Sequence, residues 1–133
     1  MKAVLPPSRI TAESSRPPRL LVVDDDWEVR TALAGVLTQE GYLVETARDG
    51  REALAALRSA PPELVLLDLL MPGMNGFELL TELRHEHIAP EPKIIVVTSS
   101  RGFTAKDLGV TAVVCKPFDV DGLIGRIKAV VPT

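Results

Sequence analysis

Residues 63–76 read ELVLLDLLMPGMNG. The run Glu63–Leu67 is apolar after its first residue and shows no polar alternation. That is the pattern of a strand buried on both faces, as in a parallel sheet. It stops at Asp68, and Pro72 to Gly76 predict a loop. Phe77, Leu80 and Leu83 then fall at helical spacing. One unit is visible here: an apolar strand, a polar stop, a loop and a helix.

The same unit recurs in both directions along the chain. Leu20–Val23 is an apolar run stopped by Asp24. Val29, Leu33, Val36 and Leu37 share one helical face, with Asp26 placed to cap the start and Gly41 where helices commonly end. Leu43–Ala47 predicts a second strand, Asp49-Gly50 a turn, and Ala53, Leu54 and Leu57 a helix ending before Pro61-Pro62. Further on, Lys93–Val97 predicts a strand ending at Thr98, and Ala112–Cys115 a short one ending at Lys116. Asp119 is placed to cap a last helix carrying Val120, Leu123, Ile124, Ile127, Val130 and Val131. Strand-helix alternation of this kind implies an α/β domain around a parallel sheet. Right-handed crossovers then limit its topology.

Composition narrows the function classes. The 133 residues suffice for one domain. Aromatics make up only 4%, so the core must be aliphatic. The net charge of −3 is unevenly spread. Residues 1–19 hold Lys2, Arg9, Arg16 and Arg19 against Glu13, which leaves the remainder more acidic than the total. An acidic body does not suit direct nucleic-acid contact. Residues 1–19, with two Pro-Pro pairs and no sustained period, read as a flexible tail before a domain over 20–133. No apolar stretch approaches the roughly 20 residues of a membrane helix, so no membrane insertion is expected. The lone Cys115 allows no intramolecular disulfide, in keeping with a cytoplasmic location, and reads as a small core residue.

Comparing strand ends reveals the chemistry. The runs terminate in Asp24-Asp25, Asp68, Thr98 and Lys116. In an open parallel sheet all carboxyl ends lie along one edge, where ligands bind. These residues should therefore converge although they are far apart in sequence. Three carboxylates in one cleft repel, and a hard divalent cation relieves them; Mg²⁺ takes oxygen ligands and suits phosphoryl chemistry. Lys116 supplies a cation for phosphate or carboxylate oxygens, and Thr98 a hydroxyl. An aspartate so placed can act as a nucleophile and become an acyl phosphate. Taken singly, each residue has an ordinary structural reading as a turn former, a cap or a loop residue. The ordered set at the ends of strands one, three, four and five carries the argument.

With these residues in view, the stretch 20–131 resembles the receiver domain of two-component response regulators, a CheY-like family. LLVVDDD matches its first strand and acidic pair, LVLLDLLMPGMNG its phosphoacceptor strand and loop, VVTSS its switch hydroxyl and VVCKPF its lysine. The resemblance implies a doubly wound, flavodoxin-like five-stranded sheet of order 2-1-3-4-5, with a cis bond between Lys116 and Pro117. It implies that a sensor histidine kinase or phosphotransfer protein donates a phosphoryl group to Asp68. Mg²⁺ would be held by Asp25, Asp68 and the Leu70 backbone carbonyl directly and by Asp24 through water, with Thr98 and Lys116 on the phosphoryl oxygens. The phosphorylated state would then signal to an as yet undefined downstream protein through altered contacts, and the domain would promote its own phosphorylation and dephosphorylation rather than turn over a substrate.

Departures from the family pattern are equally specific. Val113 stands where members commonly carry an aromatic residue. The segment between Thr98 and Lys116 is short, contains Gly102 and Gly109, and offers only Phe103 and Leu108 for packing. A shortened or irregular fourth helix is expected there, with the 99–111 segment changing order on phosphorylation. By the resemblance, Leu70 and Ser100 occupy positions that flank the acceptor and influence dephosphorylation, and a bulky apolar Leu70 predicts a persistent phosphoryl group. Trp27 should lie near the metal, and Met71 and Met74 should cover the neighbouring loop. His85 and His87 fall apart from the cluster.

Two other classes remain to be separated from a phosphoacceptor switch. A degenerate receiver used as a constitutive binding module would draw support only from the unusual 99–111 segment. A Mg²⁺-dependent phosphohydrolase would place its nucleophile in an Asp-x-Asp pattern followed by Thr, whereas Trp27 and Glu28 follow Asp26, and the chain is short for a substrate cap. The chain would act either as a single-domain regulator or as part of a longer protein.

Overall fold

The structure, a computed structural model, describes residues 16–133. Most of the predicted tail, residues 1–15, lies outside the described residues. Five parallel strands form one sheet: β1 (Arg19–Val23), β2 (Leu43–Ala47), β3 (Leu64–Leu67), β4 (Lys93–Thr98) and β5 (Ala112–Cys115). Their order is β2-β1-β3-β4-β5, as the resemblance implied. The connecting helices are α1 (Trp27–Gln39), α2 (Gly50–Ser59), α3 (Gly76–Glu86), α4 (Ala105–Leu108) and α5 (Val120–Val130).

Continuous apolar strands are required because the sheet is covered on both sides. Leu21 and Val23 of β1, Val65 and Leu67 of β3 and Val96 of β4 pack with Leu54, Leu57, Leu79 and Leu80 of α2 and α3. The alternate residues Leu20, Val22, Leu64, Leu66, Ile95 and Val97 pack with Leu33 and Leu37 of α1 and Leu123 and Ile127 of α5. Period-two alternation thus feeds two cores rather than one core and solvent. Each fully buried Leu or Val there contributes about 1.5–3 kcal/mol. The outer strand β2 is largely exposed except at Ala47.

The predicted caps hold. Asp26 accepts from the backbone N–H groups of Glu28 and Val29, and Asp119 from that of Gly122. Gly41 follows the α1 cap residue Glu40 at φ 104°. The short fourth helix is also found: α4 has four residues. Two expectations change. Asp49-Gly50, read as a turn, and Asn75-Gly76, read as the end of a loop, are N-cap and first residue of α2 and α3. Cys115, read as a core residue, is exposed at the end of the edge strand β5. Among the described residues no helix is long and apolar enough to cross a membrane.

Candidate functional site at the carboxyl edge of the sheet

Sheet hydrogen bonding runs past the strand ends and fixes the site residues. The Asp24 N–H donates to the Ala47 carbonyl at 3.1 Å, and the Asp68 N–H to the Val23 carbonyl at 3.0 Å. The Lys116 N–H donates to the Thr98 carbonyl at 2.8 Å. With β3 and β4 paired directly, the ends of all five strands are held in register at one edge. The Lys116–Pro117 peptide is cis, as the resemblance implied.

The burial pattern singles out the same residues. Among the described residues the buried polar or charged ones are Asp24 (3% exposed), Asp68 (6%) and Thr98 (0%). Buried polar groups are costly unless paired, and these are paired. Lys116 Nζ donates to Asp24 Oδ2 at 2.8 Å and to Asp68 Oδ2 at 3.2 Å. Asp24 Oδ1 accepts from the Asp26 N–H, and Asp68 Oδ1 from the Leu70 N–H. Thr98 Oγ1 accepts from the Ser100 N–H at 3.2 Å. Burial opposes the Lys116 ammonium, but hydrogen bonds and charge from Asp24 and Asp68 outweigh it, so its pKa lies above the ordinary lysine value.

Asp24, Asp25 and Asp68 each present a carboxylate oxygen, and these oxygens lie within 4.8 Å of one another. One ammonium against three carboxylates leaves the cluster anionic. The donor set is entirely hard oxygen, which fits Mg²⁺ better than a soft or nitrogen-seeking metal.

Neighbouring residues shape the cleft. Gly76 begins α3 directly against the end of β3, and a Cβ there would stand 2.5 Å from the Asp68 carbonyl oxygen and 2.7 Å from the Leu69 Cα. Only glycine lets α3 start this close. Trp27 and Leu70 are exposed, at 66% and 52%. Met71 sinks into the core, and Met74 packs where Gly50 begins α2. His85 and His87 close α3 and take no part in the cluster. Arg30, not singled out in the sequence, donates from Nη1 to the Asp24 carbonyl at 2.7 Å. Its position in the first turns of α1, six residues beyond Asp24, was the available signal.

Comparison with known proteins gives this geometry a family. The response regulator receiver domain matches over residues 20–128. The chain belongs to that family. Response regulator RR06 of Streptococcus pneumoniae is 39% identical over 116 residues, covering 84% of this chain and 52% of that protein. The transcriptional regulatory protein TcrA of Mycobacterium tuberculosis is 35% identical, covering 84% and 45%. The chain thus spans about half the length of these curated relatives. Some relatives, such as MtrA of Mycobacterium leprae, are named as DNA-binding response regulators. Among solved structures, chemotaxis protein CheY4 of Vibrio cholerae matches with a TM-score of 0.78 at 32% identity, covering 86% of this chain and 99% of that one. TrrA of Thermotoga maritima, solved in complex with Mg(2+)-BeF, matches at 0.75 and 34% identity, covering 86% and 99%. This chain is accordingly a receiver domain of two-component signalling, a class of regulators rather than conventional enzymes.

Proposed function

We propose that this receiver domain is a phosphoacceptor switch that takes a phosphoryl group onto Asp68 from a phosphohistidine of a sensor histidine kinase or phosphotransfer protein. The observation that carries the reading is the bridge from Lys116 Nζ to both Asp24 and Asp68, with Asp25 alongside. Asp68, Asp25 and the Leu70 carbonyl would hold Mg²⁺ directly, and Asp24 through water. A bound Mg²⁺ would orient the phosphoryl group and neutralise its charge.

The chain's own groups do the rest. Asp68 has one oxygen on Lys116 and the other on the Leu70 N–H, which fixes the carboxylate for in-line attack. The new P–O bond forms as the donor's P–N bond breaks, and the imidazole leaves and takes up a proton. Lys116 can then turn from its carboxylate partners to the phosphoryl oxygens as a compact cation. Thr98 Oγ1 accepts from the Ser100 N–H, so its own proton is available to a phosphoryl oxygen. The resulting shift between two surface states signals through altered protein contacts. The acidic surface suits a protein partner better than nucleic acid. The exposed Leu70 side chain beside the acceptor should obstruct attacking water and prolong the phosphorylated state.

Intact-mass spectrometry after acetyl phosphate and Mg²⁺ treatment tests the reading. One phosphoryl increment is expected on the wild type and none on Asp68→Asn or after chelation of Mg²⁺. An unlabelled wild type would leave a constitutive binding module instead. A phosphoryl half-life of seconds would refute the role given to Leu70.

A further inference from the structure

The loops that follow Asp68 and Thr98 are joined by a contact outside the acidic cluster. Phe77, in the first turn of α3, meets Phe103, five residues beyond Thr98, with ring centroids 5.2 Å apart and planes inclined at 60°. This is an edge-to-face pair within the favourable range for aromatic rings. Gly102, at φ 93°, provides the left-handed backbone that returns Phe103 to α3. One further tie lies at the other end of the segment, where Arg84 Nη2 donates to the Leu108 carbonyl at 2.8 Å. Around this second tie packing is incomplete: a cavity of about 480 Å³ opens among Leu80, Leu83, Arg84, Ile94 and Leu108. A four-residue helix has almost no stability of its own. The 99–109 segment therefore takes its position largely from these two ties and from buried Leu108.

That position matters because Thr98 Oγ1 takes its orienting hydrogen bond from Ser100, inside the same segment. We propose that Phe103, held on Phe77, is a positioning residue that aims the Thr98 hydroxyl toward the acceptor aspartate. The proposal rests on Asp68 being the phosphoacceptor. A path of four contacts follows: α3 starts against Asp68, Phe77 holds Phe103, Phe103 fixes the loop, and Ser100 orients Thr98. The aromatic pair should tighten engagement of a phosphoryl mimic, which Thr98 would meet, and leave Mg²⁺ binding unchanged, because no proposed Mg²⁺ ligand lies in the 99–109 segment that Phe103 holds.

The test uses the full chain and calorimetric titration with beryllofluoride in excess Mg²⁺, with Mg²⁺ alone titrated separately. Phe103→Ala, Phe103→Tyr, Thr98→Ala and the Phe103→Ala/Thr98→Ala pair are compared, each checked for a wild-type melting profile. Phe103→Ala should weaken beryllofluoride binding roughly two- to tenfold, leave Mg²⁺ affinity unchanged, and be rescued in Phe103→Tyr. In the Thr98→Ala background its effect should disappear, since no hydroxyl remains to aim. Undiminished beryllofluoride binding in Phe103→Ala, an equal loss in the Thr98→Ala background, or a parallel loss of Mg²⁺ affinity would each overturn the assignment. A wild type that takes up no beryllofluoride would instead overturn the acceptor reading, and this proposal with it.

Discussion

Helices α3 and α4 begin alike and end very differently. Each follows a strand that delivers a site residue, Asp68 or Thr98, and each opens with a capping box, Asn75 with Glu78 and Thr104 with Asp107. From there α3 runs eleven residues and buries Leu79 and Leu80, with Arg58 of α2 in a bidentate ion pair to Glu86 at its far end. The other stops after four residues at Gly109, with Leu108 as its one buried side chain. Capping thus decides where a helix starts, and the apolar stripe behind it decides how far it continues. Asp68, the proposed acceptor, thus precedes a long, well-packed helix, whereas Thr98 precedes a short one with a single buried side chain.

The strongest way to break this contrast is to empty one packing position in each helix. Leu79→Ala, at a fully buried site, should cost about 2–5 kcal/mol in chemical denaturation. Leu108→Ala, beside an existing cavity, should cost clearly less globally while releasing local protection of the 104–109 amides in hydrogen exchange. Equal costs at the two positions would mean that α4 belongs to the cooperative core after all.

The same contrast explains what could be read from sequence. Strands β1, β3 and β4 are apolar on both faces and stop at a polar residue, so strand and site were legible together. The brevity of α4 was legible too, because glycines and a missing stripe are local facts. Cys115 was misread because a four-residue apolar run looks the same in a central strand and at a sheet edge, and only the topology assigns β5 to the edge. Asp49-Gly50 reads as a turn and Asn75-Gly76 as the end of a loop, yet Glu52 and Glu78 lie three residues beyond Asp49 and Asn75, the spacing of a helix start. The 2.5 Å approach at Gly76 and the Phe77–Phe103 contact depend on the assembled fold and left no comparable signature.

Lys116 sharpens the comparison from the other side, since it reaches from the end of β5 into the acidic cluster. Its ammonium occupies the same Asp24 and Asp68 carboxylates that would bind Mg²⁺, so cation and lysine compete electrostatically. Lys116→Met should therefore tighten Mg²⁺ binding by about tenfold, read from the fluorescence of exposed Trp27 or by calorimetry, while phosphorylation by acetyl phosphate slows. Weaker Mg²⁺ binding in this variant would mean that the lysine organises the carboxylates more than it repels the cation.

The smallest expected effect lies at the far end of α3. The hydrogen bond from Arg58 holds Glu86 below its ordinary carboxyl value, against the opposing effect of burial and with added attraction from the guanidinium charge. A carboxyl depressed in the folded chain stabilises the fold above its unfolded pKa, and that stabilisation is lost as pH falls through the folded pKa. Comparing melting temperatures of wild type and Glu86→Gln isolates this pair, because every other carboxyl titrates in both proteins. The wild type should be slightly the more stable near neutrality, and the gap should close as pH drops below the ordinary Glu value of 4.5. Surface pairs are weak, so a gap that persists unchanged in acid would show that Glu86 acts through packing on α2 rather than through charge. The hold of α3 on the fold would then rest on its buried leucines alone.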